Sequence, residues 1–319
     1  MSEVYFKDVN VLKGEIFSLL KKEGYQAVDM HYHTRYSYDG LASIPAVLRK
    51  CEKGSFGTAI TDHNHIGGAI KAAKINKKVF FVPGMEINCH TGVHILLHFY
   101  NAKEMKEFFD KEIAKTLRKN PWFIGLTHDD LVDRASKYNC LITAPHPYGP
   151  GFMGIMRFRI HQKTIKKINA IEAINGCCLR DMNKKAISWG ERISKPFTGG
   201  SDGHCLAELG TSFTLCKASN VEEFLNEIKK SRSIVLGHEE QILSDAIHTV
   251  EKLAREEKKT PPRIMRRIWK DWGRLEWNYL KKLITKHNFI HYYKSHHHHI
   301  KTSDLKKHKH TTHLTKYSK

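Results

Sequence analysis

The sequence predicts an α/β fold in which a parallel sheet is covered by helices. Between residues 25 and 237, short and nearly continuous apolar segments alternate with amphipathic ones. Apolar strands of this kind are typical of a parallel sheet that is buried on both faces, with helices as the crossover connections. The chain has 319 residues, of which 40% are hydrophobic, and this is enough for one large barrel or two ordinary domains.

The individual elements follow from periodicity and from residues that start and stop helices. Apolar residues at helical spacing predict a helix over residues 8–23, which Gly24 ends. Thr127 and Asp130 form an approximate capping box and predict the start of another helix. The other predicted elements are strand 25–33, helix 43–53, strand 57–63, helix 67–77, strand 79–87, strand 93–100, helix 102–118, strand 140–146, strand 170–176, helix 180–194, strand 196–202, strand 211–216, helix 221–230 and strand 233–237.

The character of the chain changes after Gly237. Residues 241–290 are basic and helical in pattern, and residues 291–319 have almost no apolar side chains, which predicts a disordered His/Lys-rich tail. The formal charge is +20, and residues 241–319 hold 19 Lys and Arg against 7 Asp and Glu, a net +12. This surplus predicts an anionic partner, nucleic acid or a membrane surface, or else a solvated basic face. The apolar stripe of the basic segment has three interpretations: docking on the main domain, lying on an anionic membrane, or accompanying a face that grips nucleic-acid phosphates.

The sequence carries no signal for secretion or membrane insertion. No stretch reaches the roughly 18 uncharged apolar residues of a membrane span, and the N-terminal MSEVYFKDVN lacks the pattern of a secretory signal. Seven cysteines with no CxxC motif argue against a disulfide framework. We expect a soluble cytoplasmic protein with no transmembrane segment.

Histidines and carboxylates recur where successive strands end. His31 and His33 lie one residue apart on the first predicted strand, so both imidazoles point the same way. A pair of this kind is equally well explained by a strand tip at the surface. However, α/β folds keep their chemistry at the carboxyl ends of strands, and recurrence at six ends is hard to explain by packing. The residues concerned are His31, His33, His63, Glu86, His94, His146, Asp202 and His204, with Asp39 just behind the first pair.

At these positions the chain resembles the PHP family, named after polymerase and histidinol phosphatase domains. The matching segments are MHYHTRYSYDG, ITDHNHIGG, PGMEI, VHILL, APHP and GGSDGH, in the family's order. The stretch GSDGHCLAELG also resembles the end of the PHP module that leads into its associated C-terminal segment. The resemblance implies a distorted seven-stranded (β/α) TIM-like barrel with two or three divalent metal ions in its mouth. The resemblance covers about residues 27–237. Together with the N-terminal helical pattern and the change of composition after Gly237, it divides the chain into an N-terminal helix (1–24), a PHP barrel (25–240), a basic amphipathic helical extension (241–290) and the tail (291–319).

The resemblance also implies how the ligands divide. One metal would be held by His31, His33, Glu86 and Asp202. Glu86 would bridge to a second metal, which His94 and His146 would also hold. A third would be held by Asp39, His63 and His204.

Two positions depart from the family's pattern. Several members place a carboxylate five residues after the second histidine, whereas Tyr38 holds that place here and Asp39 follows it. The segment CHTGVHILLH offers His90, His94 and His98, of which only one should be the ligand. We prefer His94 because it precedes the apolar run as in the family, but His98 shares its strand face and could compete. The remaining histidines that we interpret as surface or core residues are His65, His128, His161 and His238.

The donor set predicts the chemistry. Nitrogen and oxygen donors without thiolate allow Zn, Mn or Fe. Neighbouring divalent ions polarise phosphoryl oxygens and generate a nucleophile from water, so we predict phosphate-ester hydrolysis that depends on Glu86, His33 and Asp202. Three arginines that follow strand ends are candidates for binding a second phosphate of the substrate, with a solvent-facing role as the alternative: Arg35, Arg157 and Arg159.

These observations predict a metal-dependent phosphoric ester hydrolase of the phosphatase or exonuclease type. The basic charge favours a nucleotide or nucleic-acid end, as in a nucleotide-bisphosphate phosphatase or a 5'-3' exonuclease. One alternative is a histidinol-phosphatase-like activity on a small molecule. Another is a non-catalytic PHP scaffold or binding module, but a degenerate scaffold should have lost several of the nine ligand positions.

Overall fold

The computed structural model describes residues 2–10, 12–118, 122–149, 153–158 and 160–238. The strands are β1 Glu3–Phe6, β2 Tyr25–Asp29, β3 Gly57–Ile60, β4 Phe81–Asn88, β5 His94–Phe99, β6 Cys140–Ala144, β7 Ala170–Asn175, β8 Phe197–Gly200, β9 Ser212–Lys217 and β10 Ile234–Gly237. The α-helices are α1 Glu15–Lys22, α2 Ile44–Gly54, α3 Gly67–Ile75, α4 Ala102–Phe108, α5 His128–Ala135, α6 Gln162–Lys167, α7 Arg180–Arg192 and α8 Val221–Lys229. The predicted basic extension and tail lie outside the described residues.

The strands form one sheet that closes almost completely into a barrel. Their order is β1-β10-β9-β2-β3-β4-β5-β6-β7-β8. The last strand in this order, β8, comes back to β2 and β9 near the middle of the sheet. There the amide of Met30, which directly follows β2, donates to the Gly199 carbonyl of β8 at 3.3 Å. Beside this contact, the Gly199 amide donates to Thr214 Oγ1 at 2.8 Å. The predicted α/β barrel is therefore confirmed, with ten strands in the described part of the chain instead of the seven that the resemblance implied.

The sheet is mixed, whereas the apolar pattern predicted a parallel one. Four pairings are antiparallel: β10–β9, β9–β2, β4–β5 and β5–β6. Between β4 and β5 the chain turns tightly, with the Cys89 amide donating to the Val93 carbonyl at 2.9 Å and Gly92 at a φ of 92°. A connection this short can join only antiparallel strands.

The N-terminus contributes a strand as well as a helix. The helix predicted from residue 8 begins at Glu15, and β1 precedes it and pairs in parallel with β10. In the long helix predicted over residues 102–118, the α-helical geometry ends at Phe108. A π-helical turn and a 3-10 turn follow it as far as Thr116. The short helix α6 was not predicted. No helix in the described ranges is long and apolar enough to cross a membrane.

Apolar clusters fill both sides of the sheet. One cluster joins Phe17 of α1 and Val47 of α2 to Phe213 of β9. A second brings side chains from β2, β3, β4, β6 and β7 into contact with Phe224, Leu225 and Ile228 of α8. This rigid packing fixes the strand ends from which the polar side chains described next project.

Candidate metal centre

The structure brings all nine predicted ligand residues together at one end of the barrel. His31 and His33 follow β2, His63 follows β3, Glu86 lies in β4, and His94 opens β5. His146 follows β6, and Asp202 and His204 follow β8. Donor atoms of eight of the nine form three groups, and within each group the atoms lie within 4.8 Å of one another. His146 is in none of these groups and approaches the centre through Glu86. That these residues bind metal stays a prediction.

The first group is the predicted set of His31, His33, Glu86 and Asp202. The Nε2 atoms of His31 and His33 are 3.1 Å apart. Asp202 Oδ1 is 3.2 Å from the first of these nitrogens and 3.1 Å from the second. Glu86 Oε2 is 3.3 Å from both. Four donors therefore point at one position.

The second group is built on the other oxygen of Glu86. Its Oε1 is 3.1 Å from His94 Nδ1 and 3.1 Å from His146 Nε2. The group of donors within 4.8 Å of one another consists of His63, Glu86 and His94, and His63 Nδ1 lies 3.0 Å from Glu86 Oε2. Glu86 Oε1 thus faces His94 and His146, while Oε2 faces His31, His33 and His63, so the two oxygens point at different sets of imidazoles, as a bridging carboxylate requires.

The third group surrounds Asp39. Its Oδ2 is 3.0 Å from His204 Nε2 and 3.4 Å from His63 Nε2, and His33 completes the group. Ser37 donates to the other oxygen of Asp39 at 2.7 Å, which fixes the carboxylate. Asp39 therefore reaches the same centre although Tyr38 holds the position at which the family places its carboxylate.

The donor spacing fits divalent metal ions. Ligand atoms about 2.0–2.1 Å from one ion are themselves about 3.0–3.4 Å apart, and the separations above lie in this range. Glu86 Oε2 is buried and accepts no well-aligned hydrogen bond in the described structure, although three imidazole nitrogens lie 3.0–3.3 Å from it. A buried carboxylate oxygen without a hydrogen bond is costly, and a cation would satisfy it. The residues present therefore fit a multinuclear metal site.

The electrostatics of the centre favour ionised carboxylates. Burial opposes ionisation, but His94, His31 and His63 outweigh it and hold the pKa of Glu86 well below its ordinary value. In the same way, the pKa of Asp202 is lowered well below its ordinary value, against burial, chiefly by His31. Burial lowers the pKa of His94 to about 4. Burial opposes the charge of His63 too, but the carboxylates of Asp39 and Glu86 outweigh it and raise the pKa of His63 to about 10. A metal ion bound here would displace that proton, because ionised carboxylates and neutral imidazoles are the forms that bind metal.

Glu172 and Asn175 support the centre from behind, and sequence reasoning missed both. Glu172 Oε1 is 3.0 Å from His31 Nδ1, and Oε2 accepts from the His146 amide at 2.7 Å. The Asn175 side-chain amide donates to Glu172 Oε2 at 2.9 Å and to Asp202 Oδ2 at 3.0 Å. These contacts orient three predicted ligands at once. The available signal was a carboxylate inside the apolar strand AIEAING.

The local backbone explains why the segment GGSDGH has a glycine at position 200 and how it aims Asp202. A Cβ on Gly200 would lie 2.4 Å from the Cβ of His31, so only glycine allows this close approach. Asp202 then turns into the left-handed region with a φ of 53°. Its amide donates to the His31 carbonyl at 2.7 Å, which aims the carboxylate at the histidine pair.

His98 belongs to the barrel core. Its Nε2 lies 2.8 Å from the Met30 carbonyl and donates to it, and His98 is in none of the three ligand groups. Burial lowers the pKa of His98 to about 4. Geometry therefore favours His94 over His98 as a ligand.

The other singled-out residues lie outside the ligand groups. Arg35 and Arg157 are exposed, and Arg157 lies in a short turn whose Met156 amide donates to the Pro147 carbonyl at 3.0 Å, directly after His146. Arg159 is outside the described residues. Among the remaining histidines, His128 is buried beside Thr91, His65 and His161 are exposed, and His238 is half-buried.

Sequence comparisons point to one family. A model described as PHP-associated matches residues 180–233. An uncharacterized protein of Methanocaldococcus jannaschii is 26% identical over 214 residues, which cover 63% of this chain and 78% of the relative. A second uncharacterized protein of the same organism is 30% identical over 135 residues, which cover 38% of this chain and 68% of the relative.

Solved structures share the fold. A two-domain protein of Bacteroides vulgatus that contains a predicted PHP-like metal-dependent phosphoesterase aligns with a TM-score of 0.52 and 16% identity. The alignment covers 67% of this chain and 65% of that one. The lesion-specific endonuclease PfuEndoQ of Pyrococcus furiosus aligns with a TM-score of 0.53 and 19% identity, over 66% of this chain and 57% of its own. This chain thus matches less than two thirds of either structure.

The barrel and the three groups of histidine and carboxylate donors define a PHP-like metal-dependent phosphoesterase fold. The PHP-associated segment over residues 180–233 is in keeping with this fold. The chain belongs to the PHP family.

Proposed function

We propose that the protein is a metal-dependent phosphoesterase that hydrolyses a phosphate ester at a nucleotide or nucleic-acid end. The observation that carries the proposal is the position of Glu86, whose two oxygens face different groups of donors at 3.0–3.3 Å. A scaffold that had lost catalysis would have no reason to retain nine converging donors.

The residues divide into holding and orienting roles. One ion would be held by His31, His33, Glu86 and Asp202. A second would be held by Glu86, His94 and His146, and His63 lies close enough to Glu86 to join them. Asp39, His63 and His204 would hold a third. When bound, closely spaced divalent ions polarise phosphoryl oxygens and make water nucleophilic near neutral pH. Glu172 keeps the Nδ1 proton on His31, so that its Nε2 lone pair faces the centre.

Charge and fold similarity support a nucleic-acid or nucleotide substrate. Endonuclease Q has been solved with a 27-mer duplex that carries an abasic lesion at the active site, and that structure aligns with this chain at a TM-score of 0.53 and 20% identity. The net charge of +20 favours an anionic polymer or a multiply charged nucleotide. We propose that the basic segment 241–290 adds phosphate contacts and that Arg35 and Arg157 bind non-scissile phosphates. None of the seven cysteines, all of which lie in the described ranges, forms a disulfide, in keeping with a reducing cytoplasmic location.

A hydrolysis screen tests the proposal. The 319-residue protein, reconstituted with Zn, Mn or Fe, is assayed on nucleoside 3',5'-bisphosphates, 5'-phosphorylated oligonucleotides and histidinol phosphate. We expect the highest kcat/KM on one of the first two. Glu86→Gln should lower turnover by at least about a hundredfold because it removes a bridging charge, whereas His65→Ala, an exposed histidine, should retain it. Preference for histidinol phosphate, or full activity in Glu86→Gln, would contradict the proposal.

A further inference from the structure

One buried carboxylate close to the metal centre is not a predicted ligand. Asp29 is the last residue of β2, two residues before His31, and its side chain is fully buried. It is in none of the three ligand groups. A carboxylate inside a barrel is costly unless hydrogen bonds compensate it, so the contacts of Asp29 need an explanation.

Three backbone amides compensate this carboxylate. Asp29 Oδ1 accepts from the Ser201 amide at 2.9 Å and from the His31 amide at 3.2 Å. Asp29 Oδ2 accepts from the Gly210 amide at 2.8 Å. The donors lie in three segments, which follow β2, follow β8 and precede β9. One side chain therefore joins three parts of the barrel that are distant in sequence.

Two of these segments carry predicted ligands of the first group. His31 is itself a member of this group, and Ser201 directly precedes Asp202. The Asp202 amide donates in turn to the His31 carbonyl at 2.7 Å. Because the His31 and Ser201 amides both reach a single oxygen atom, Asp29 limits how far the two segments can separate. The 3.2 Å between His31 Nε2 and Asp202 Oδ1 depends on that separation.

From this geometry we infer that Asp29 is a positioning residue, which fixes the spacing of His31 and Asp202 before metal binds. The inference rests on the proposed function, in which these two residues hold an ion, and deepens it by naming a residue outside the ligand groups on which metal affinity depends. Replacing a hydrogen-bonded residue behind the ligands of a metal site typically lowers the affinity by about 10–100-fold. Glu172 orients the His31 ring, whereas Asp29 fixes the backbone that carries it.

Asparagine cannot take over the contacts of this carboxylate. Its side chain has the same shape but offers one oxygen and one NH2 group. If the oxygen stays with His31 and Ser201, the NH2 group faces the N–H of Gly210. If the side-chain amide is turned over, the NH2 group faces the two ligand-bearing segments. A buried N–H loses its acceptor in either orientation, so Asp29→Asn should loosen the junction of the three segments.

The experiment separates positioning from general support of the fold. Thr214→Val is the matched control, because Thr214 Oγ1 accepts from the Gly199 amide at 2.8 Å and donates to the Gly199 carbonyl at 3.1 Å. These bonds close the same part of the barrel, and neither residue is a predicted ligand. Both variants should therefore lower the melting temperature of the metal-free protein.

Chelator competition, at a temperature where both variants are folded, gives the deciding measurement. We expect the dissociation constant of the tightest ion to rise about tenfold or more in Asp29→Asn and to stay at the wild-type value in Thr214→Val. An unchanged constant in Asp29→Asn, or an equal rise in both variants, would overturn the inference.

Amide hydrogen exchange in the metal-free wild type needs no variant and serves if Asp29→Asn does not fold. Since Asp29 holds the Ser201 amide, this amide should exchange within about tenfold of the rate of the Leu97 amide, whose strand is paired on both sides. Exchange about a hundredfold faster at Ser201 would show that the segments are not held before metal binds, and the inference would be wrong. If the wild type hydrolyses no phosphate ester, the proposed function fails, and the metal affinities and exchange rates still decide the inference.

Discussion

Replacing Glu172 with Gln should weaken metal binding without touching a predicted ligand. Glu172 accepts from the His146 amide and faces His31 Nδ1 at 3.0 Å, and its side chain is buried. Gln has the same shape but offers one oxygen and one NH2 group. If the oxygen stays on the His146 amide, the NH2 group faces the Nδ1 proton of His31. The imidazole must then change its tautomer or turn away.

The magnitude follows from one lost hydrogen bond to a charged group. Such bonds contribute about 1.5–3 kcal/mol, which corresponds to about 10- to 100-fold in a dissociation constant. Loss of a carboxylate behind a ligating histidine in other metal sites lowers affinity by a similar factor, about 10–100-fold. We therefore expect the dissociation constant of the tightest ion to rise by about this factor in Glu172→Gln.

Chelator competition at fixed pH measures this constant. Glu107→Gln is the matched control, because Glu107 is exposed and bonds to Lys111 on the surface. Equal metal affinity in wild type and Glu172→Gln would refute the orienting role of Glu172.

Three further predictions test other parts of the structure. Burial lowers the pKa of His98 from 6.5 to about 4, so the stabilising contribution of the neutral imidazole is complete above about pH 6.5 and is lost as the pH falls towards 4. Between pH 7 and pH 5, the wild type should therefore lose about 2 kcal/mol more unfolding free energy than His98→Gln. Equal losses in a denaturant titration would contradict this prediction. Replacing Arg263, Arg266 and Arg267 with Gln in the full chain should lower the slope of log affinity against log salt for an oligonucleotide by up to about three, and an unchanged slope would exclude these side chains from phosphate contacts. Metal at about 100 times its dissociation constant should stabilise the folded state by about 2.7 kcal/mol, so chelation should lower the melting temperature by about 5–10 °C, whereas an unchanged melting temperature would contradict tight binding.

Most of the predicted ligand residues could be found because they stand at strand ends that their own neighbours define. His94 is an exception, because it opens β5, and the antiparallel direction of β5 brings that end to the centre. Alternating faces place His31 and His33 together, and the apolar segments before His63 and His146 locate their strands without knowledge of the partner strands. The carboxyl ends of neighbouring strands then converge wherever a barrel closes. Local patterning and one topological rule were sufficient for this part of the site.

The unpredicted features depend on contacts between distant segments. β1 has four residues and becomes a strand only by pairing with β10, more than 200 residues away. Glu172 reads as one polar residue within a strand, and its role appears only when β7 places it behind His31. The turn at Gly92 did offer a local signal for an antiparallel pair, since no helix separates β4 from β5.

The charges at the centre explain why packing alone cannot account for it. Asp39, Glu86 and Asp202 hold lowered pKa values against burial, and burying an ion costs several kcal/mol unless it is compensated. The nearby imidazoles cannot all be protonated, because His33 stacks on His63 at 4.3 Å and on His204 at 4.4 Å, and their charges would repel. Divalent cations remove this conflict, since they neutralise the carboxylates while the imidazoles bind through their lone pairs. A core of apolar side chains would be more stable than this cluster without cations, and we therefore propose that the cluster exists to bind metal.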